Sequence, residues 1–391
     1  MLEPQSTALF ILMMAVFFAL LAGVAVAKQP AFRVLAAALA FVPAMLFGMA
    51  AVNKYYDYYQ TWGSVAADLG AQGLTSVPEI PAGASGQRLA KILGKVTGSR
   101  TAARQGETVR LTVTGRASHL TRTVLIYLPP QYFQPAYARA SFPAIELIPG
   151  FPGQPQDWIN VVGITQAYLT LLHDGAVKPA VLIMPDANGG PRVSLQCLNV
   201  RHGPQDATFL AMDVPRALSR SLRVAPPGPA WGIAGYSEGG YCAANLALVY
   251  PSSYGYSGVL SGYFAPLHDQ LGNPLRTVNP FGRDKTLRQR NTPLYRVRAL
   301  PLNVPIPQFW LGAGSSWHKD VVAAQAFQRR LLTRQPDVIL DIEPGGSHNM
   351  ATWRALVPPL LEWMTTRLAD TERLMQRAVP GSVPLPMGSV P

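Results

Sequence analysis

Charge is nearly missing where the chain begins. Between Pro4 and Ala27 no residue is charged, and a second uncharged run extends from Val34 to Asn53. Each run has about the twenty residues that a helix needs to cross a hydrocarbon core. Only a helix satisfies its own backbone polar groups over such a length, so two helices are expected, with Pro43 tolerated as a kink. The leading MLEPQ lacks Lys and Arg, which argues against a cleaved signal peptide. The connection AKQPAFR has Lys28 and Arg33 but no acid, so the positive-inside tendency puts that loop in the cytoplasm. Both ends of the hairpin, and everything after Asn53, are then expected on the outer side.

Other scarcities narrow the chemistry. Of six histidines, no pair has metal-ligand spacing on a plausible scaffold, so no metal is expected. No internal repeat is visible. The net charge of +12 permits binding to nucleic acid, anionic lipid or acidic polymers, but no nucleic-acid motif accompanies it. The one concentrated basic stretch is RDKTLRQRNTPLYRVR, Arg283 to Arg298, which reads as a solvated basic loop or as a contact for anionic headgroups or acidic envelope polymers. There are only two cysteines, Cys197 and Cys242. In an extracytoplasmic domain they can form one disulfide, and the alternative is two buried thiols.

After the hydrophobic runs comes an aromatic group, YYDYY, of the kind that favours a membrane interface. The stretch VPEIPAGASG follows, rich in Pro, Gly and Ala. Short apolar segments then alternate with amphipathic ones. ETVRLTVTG, LTRTVLIYLPP, FPAIELIPG, AVLIMPDAN, PAWGIAGYS, YSGVLSGYF, PQFWLGAGS and VILDIEPGG read as strands. DWINVVGITQAYLTLLH, ATFLAMDVPRALSRSL, EGGYCAANLALVY, KDVVAAQAFQRRLL and MATWRALVPPLLEWMTTRL read as helices. Such alternation implies an α/β domain with a mostly parallel sheet covered on both faces.

One motif carries chemistry. GYSEGG places Ser237 at the centre of G-x-S-x-G, with the strand WGIA entering and the helix CAANLALVY leaving. A sharp strand-to-helix turn needs glycine on each side, and it lifts the serine oxygen to a helix N-terminus. The hydroxyl needs a base, and His348 in EPGGSHNMATW is suited to it, since it follows the last strand and precedes the final long helix. The expected acid is Asp320, the only carboxylate of SSWHKD. It also suits a helix N-cap, and Asp284 and Asp341 are alternatives. Oxyanion donors are expected at the backbone N–H groups of Glu238 and of Phe151, in the loop IPGFPGQPQDW.

The strings IPGFPGQPQDW, WGIAGYSEGGYCAANLALVYP and EPGGSHNMATWRALVPPLLEW resemble the esterase-D-like family of α/β-hydrolases. That family includes actinobacterial membrane-anchored esterases and the related cell-wall mycolyltransferases. The resemblance runs from Glu107 to Leu368. It implies an α/β-hydrolase fold, a Ser237 nucleophile, a His348 base, oxyanion donors at Phe151 and Glu238, and no metal or organic cofactor. It further implies packing or pocket roles for Trp158 and Trp353. Two departures stand out: the carboxylate after the seventh strand is delayed to Asp320, and IPGFPG replaces the lipase-type HGGG string.

The expected organisation is therefore a transmembrane hairpin over 1–53, a membrane-proximal connector over 54–104, a catalytic domain over 105–370 and a Pro-rich, disordered tail over 371–391. The expected activity is hydrolysis of a lipid or cell-envelope ester by a multi-pass membrane protein facing outward. Transfer of the acyl group to a sugar or lipid hydroxyl is the alternative, and a catalytically silent binding domain is the third reading.

Overall fold

The computed structural model describes residues 2–69, 79–80, 100–190, 193–267, 271–273, 276–278 and 280–378. The chain divides into two compact units, residues 1–75 with 349–351 and the remainder.

In the first unit the two apolar runs form helices Thr7–Val26 and Pro30–Tyr56. Ser6 caps the first, its Oγ accepting from the Leu9 N–H at 3.3 Å. Pro30 opens the second, where a missing N–H costs nothing. The helices touch through Phe10 and Phe47, whose rings lie 5.3 Å apart, and near Gly23, where a β-carbon would meet that of Ala36 at 3.9 Å. Elsewhere their apolar side chains face outward: Val34 and Phe41 are 71% and 74% exposed. Both helices are long and apolar enough to be candidate membrane spans. The second ends three residues beyond the expected Asn53, because the first two tyrosines of YYDYY complete its last turn. Asp57 then turns left-handed at φ 51°, and Asn53 bonds both backbone polar groups of Tyr59, at 2.7 and 2.9 Å.

The second unit is built on a nine-stranded sheet. Its strands are β1 (Glu79–Ile80), β2 (Glu107–Thr114), β3 (Thr121–Leu128), β4 (Ala144–Ile148), β5 (Val181–Pro185), β6 (Gly228–Tyr236), β7 (Tyr254–Leu260), β10 (Gln308–Gly314) and β11 (Ile339–Glu343). A separate hairpin pairs β8 (Leu271–Asn273) with β9 (Arg276–Val278). The order across the large sheet is β1-β2-β3-β5-β4-β6-β7-β10-β11. Only the β2/β3 and β3/β5 pairs are antiparallel, so the sheet is mostly parallel. β1 pairs with β2 from within the stretch read as connector. In β2 the alternation of the sequence buries Val109, Leu111 and Val113 on one face. The central β4 and β5 are buried at every position, as expected of strands covered on both sides. Glu146 lies in this core at the middle of β4, where it accepts from the Tyr254 hydroxyl at 2.8 Å.

The long helix Met350–Ala378 lies across one face in a seam made by glycines. β-Carbons at Gly232 of β6, Gly258 of β7 and Gly312 of β10 would come within 2.5 to 3.0 Å of Met364, Leu360 and Leu356 respectively. These three side chains recur every four residues, so one helical stripe fits one bare strip of sheet. The helix continues eight residues past 370, into the stretch expected as a tail. TERLMQRA contains good helix formers and no Gly or Pro, so nothing stops the helix before Ala378. Residues 379–391 lie outside the described residues. The helix read over DWINVVGITQAYLTLLH is also broken, into Asp157–Asn160 and Ile164–His173, because Gly163 turns left-handed at φ 75°.

Candidate active site

The site forms where the chain leaves the carboxyl ends of β4, β6, β10 and β11. β6 runs directly into Ser237, which caps the helix Glu238–Val249. Ser237 sits at φ 55°, ψ −118°, a strained conformation that its surroundings hold. Its N–H donates to the Leu260 carbonyl at 2.8 Å. The turn is too tight for side chains beside it: a β-carbon at Gly235 would meet the Gly239 oxygen at 2.2 Å, and one at Gly239 the Ile148 oxygen at 2.1 Å. Both flanking glycines of G-x-S-x-G are thus required by the backbone itself.

Ser237 Oγ lies 2.9 Å from His348 Nε2, and His348 Nδ1 lies 2.7 Å from Asp320 Oδ2. Asp320 is buried, whereas His348 is partly open. Hydrogen bonds through the backbone bring the loops of His348 and Asp320 together. The Ser316 N–H donates to the Gly346 carbonyl at 2.8 Å, the Gly345 N–H to Ser315 Oγ at 2.8 Å, and the Ser347 N–H to Thr352 Oγ1 at 2.7 Å. The helix after β10 begins at His318, with Trp317 as its cap, so Asp320 lies in the first turn and its carboxylate is free to face His348. The alternative acids are elsewhere. Asp284 caps the helix Lys285–Arg290, accepting from the Leu287 N–H at 2.9 Å, and Asp341 lies within β11 opposite Gly312.

The loop after β4 approaches closely from the other side. A β-carbon at Gly150 would stand 3.1 Å from Ser237 Cβ, so the next residue, Phe151, begins at the nucleophile. The loop is braced internally, with the Gly153 N–H donating to the Gly150 carbonyl at 2.7 Å and the Gln154 N–H to Asp157 Oδ2 at 2.9 Å. Trp158 and Trp353 are both buried against Tyr236, the first edge-on and the second stacked, at ring separations of 5.0 and 4.6 Å. Trp353 also meets His348 edge to face at 5.2 Å. Both indoles pack the supports of the site.

Sequence reasoning overlooked the surroundings of Glu238. Its carboxyl group is buried, and receives bonds from Ser194 Oγ on Oε2 and from Asn188 Nδ2 on Oε1, the latter at 3.4 Å. Burial pushes this carboxyl up to about 7, against smaller lowering by Ser194 and Asn188. The polar run DAN after β5 was the available signal. In the same loop Cys197 is joined to Cys242 of the nucleophile helix, with Cα atoms 5.6 Å apart. The basic stretch forms helices Lys285–Arg290 and Pro293–Ala299, with Arg283, Lys285, Arg290 and Arg298 exposed. Among the described residues no three His, Cys, Asp or Glu side chains are grouped as a metal ion would need.

A family model described as "Putative esterase" matches residues 117–301. That match takes in the Ser237 turn and spans just under half of the chain. A ferulic acid esterase superposes with a TM-score of 0.56 at 14% identity, covering 68% of this chain and 99% of that one. The fluorophosphonate-binding serine hydrolase F of Staphylococcus aureus gives 0.54 at 17% identity, over 66% and 98%. These likenesses establish the α/β-hydrolase fold. In sequence, an uncharacterized protein of Corynebacterium glutamicum is 30% identical over 167 residues, 42% of this chain. The match spans 37% of that relative's length.

Proposed function

We propose that this esterase cleaves carboxylic esters through an acyl-enzyme on Ser237. The observation that carries this reading is the chain of hydrogen bonds from Asp320 through His348 to Ser237, 2.7 and 2.9 Å long, at a strained strand-to-helix turn. His348 Nε2 takes the serine proton as Oγ attacks the ester carbonyl, and later passes it to the departing alcohol. Asp320 fixes the imidazole by accepting from Nδ1. The oxyanion is met by the N–H groups of Phe151 and Glu238, the second at the positive end of a helix. Water then releases the acid by the same steps in reverse.

A fluorophosphonate probe tests the nucleophile directly. The full-length protein should label and Ser237→Ala should not, with ester turnover falling by at least about 10³-fold. Equal labelling of both proteins, or none of either, would overturn the reading. Product analysis with and without a sugar acceptor then separates hydrolysis from acyl transfer.

The same proposal includes a location: the two apolar helices anchor the protein and the catalytic unit faces outward. Lys28 between the helices and Arg33 in the first turn of the second support a cytoplasmic connection, and a Cys197–Cys242 disulfide suits an oxidising compartment. A lipid or envelope ester fits that location.

A further inference from the structure

We infer that Glu238 is a positioning residue, whose buried carboxyl joins the loop after β5 to the nucleophile turn and whose ionisation weakens oxyanion stabilisation. The inference rests on the Ser237 reading. Glu238 occupies an awkward place for an acid, since its own N–H faces the developing negative charge while its side chain is buried behind the turn. The carboxyl group holds two residues of one loop, through the Ser194 hydroxyl and the Asn188 amide.

The described residues of that loop are tied down by several bonds. Asn188 Oδ1 accepts from the Leu195 N–H at 2.9 Å, closing the loop on itself. Asp186 Oδ1 accepts from the N–H groups of Asn188, Gly189 and Gly190, at 2.7 to 3.3 Å. Beneath it Arg122 donates to the carbonyls of Asp186 and Ala187, at 3.3 and 2.9 Å, and pairs with buried Asp206. Gln196 and Cys197 both turn left-handed before the disulfide fastens the loop to the nucleophile helix. With the loop fixed at Arg122 and at Cys197, Glu238 is its connection to the catalytic turn.

Other charges around Glu238 do little to favour its ionised form. Tyr241 on the same helix and Tyr263 after β7 are held far above the ordinary phenol range by burial first and by Glu238 second. Arg288 acts on Tyr241 from further out. Asp186 and the Arg122–Asp206 pair belong to the far end of the loop, and His348 approaches from the opposite loop. Burial of Glu238 therefore dominates, and its group titrates at about 7. Below that range the carboxyl is neutral, its O–H donating to Ser194 Oγ while its other oxygen accepts from Asn188, and no second charge opposes the oxyanion. Above it a second negative charge sits one residue from the serine.

The test is the pH dependence of kcat/KM on a soluble ester, using the full-length protein, read as the ratio between pH 6 and pH 9. The wild type should lose activity on the alkaline side by roughly tenfold or more. Glu238→Gln should lose that alkaline fall, whatever its absolute rate. Ser194→Ala removes a group that favours the ionised form, so it should move the fall to higher pH. An unchanged alkaline limb in both variants, or its absence in the wild type, would overturn the inference. Failure of the Ser237 reading would show separately, as fluorophosphonate labelling that Ser237→Ala does not remove.

Discussion

At the scale of single residues, the site depends on what each side chain can accept or donate. Asp320 is the instructive case. Its spacing from β10 allowed both a helix cap and a triad acid, and sequence could not choose between them. The helix starts two residues earlier, at His318, and Asp320 Oδ2 lies 2.7 Å from His348 Nδ1, an arrangement that supports the proposed acid role. Asp320→Asn keeps the shape but cannot hold the same imidazole tautomer, so kcat should fall on the order of 10⁴-fold. Thermal unfolding should change little. A loss below tenfold would transfer the orienting role to another group. Glu238 shows the reverse situation: its proposed backbone role follows from the motif, while its carboxyl contacts are with Asn188 and Ser194, 50 and 44 residues away in sequence and invisible to local pattern.

At the scale of elements, the eight strands were legible because burial on one or both faces writes itself directly into composition. Helices were legible as patterns but not in their interruptions. Gly163 breaks one, and the stretch Phe209–Asp213 widens into a π-turn ahead of the helix Val214–Ser221, where no residue announces it. Nor does the sequence reveal that Gly232, Gly258 and Gly312 line up on neighbouring strands, which only the sheet register brings about. Valine at Gly258 would drive into Leu360, whose Cδ1 lies 2.5 Å from the added β-carbon. Gly258→Val should destabilise by about 1–3 kcal/mol. It should also lower turnover, because the displaced helix follows His348 by a single residue. Adding Leu360→Ala should recover part of both, as thermal unfolding and ester assays would show.

For the whole molecule, buried acids set the response to pH. Burial raises Glu146 to about 8 and Glu238 to about 7, well above their unfolded values near 4.5. In this window the native state keeps protons that the unfolded chain gives up, so stability is full below about pH 4.5 and declines toward pH 8. Thermal midpoints should fall by several degrees over that range, and Glu146→Gln should flatten the slope while keeping an acceptor for Tyr254. A midpoint that rises with pH would contradict this. Orientation in the membrane is the second property of this scale. Leu302 is 85% exposed, so Leu302→Cys should react with a membrane-impermeant maleimide in intact cells if the catalytic unit faces outward. Labelling only after lysis would reverse the topology.

Tyr236 has a further significance. The loop that carries Phe151 ends in Trp158, and the loop that carries His348 leads into Trp353. Each indole rests on the same phenol ring, and that ring is bonded through one peptide to Ser237. Two segments almost two hundred residues apart are therefore measured from one datum. An error in placing one loop does not add to an error in placing the other, so the tolerance of the whole constellation is that of a single aromatic contact.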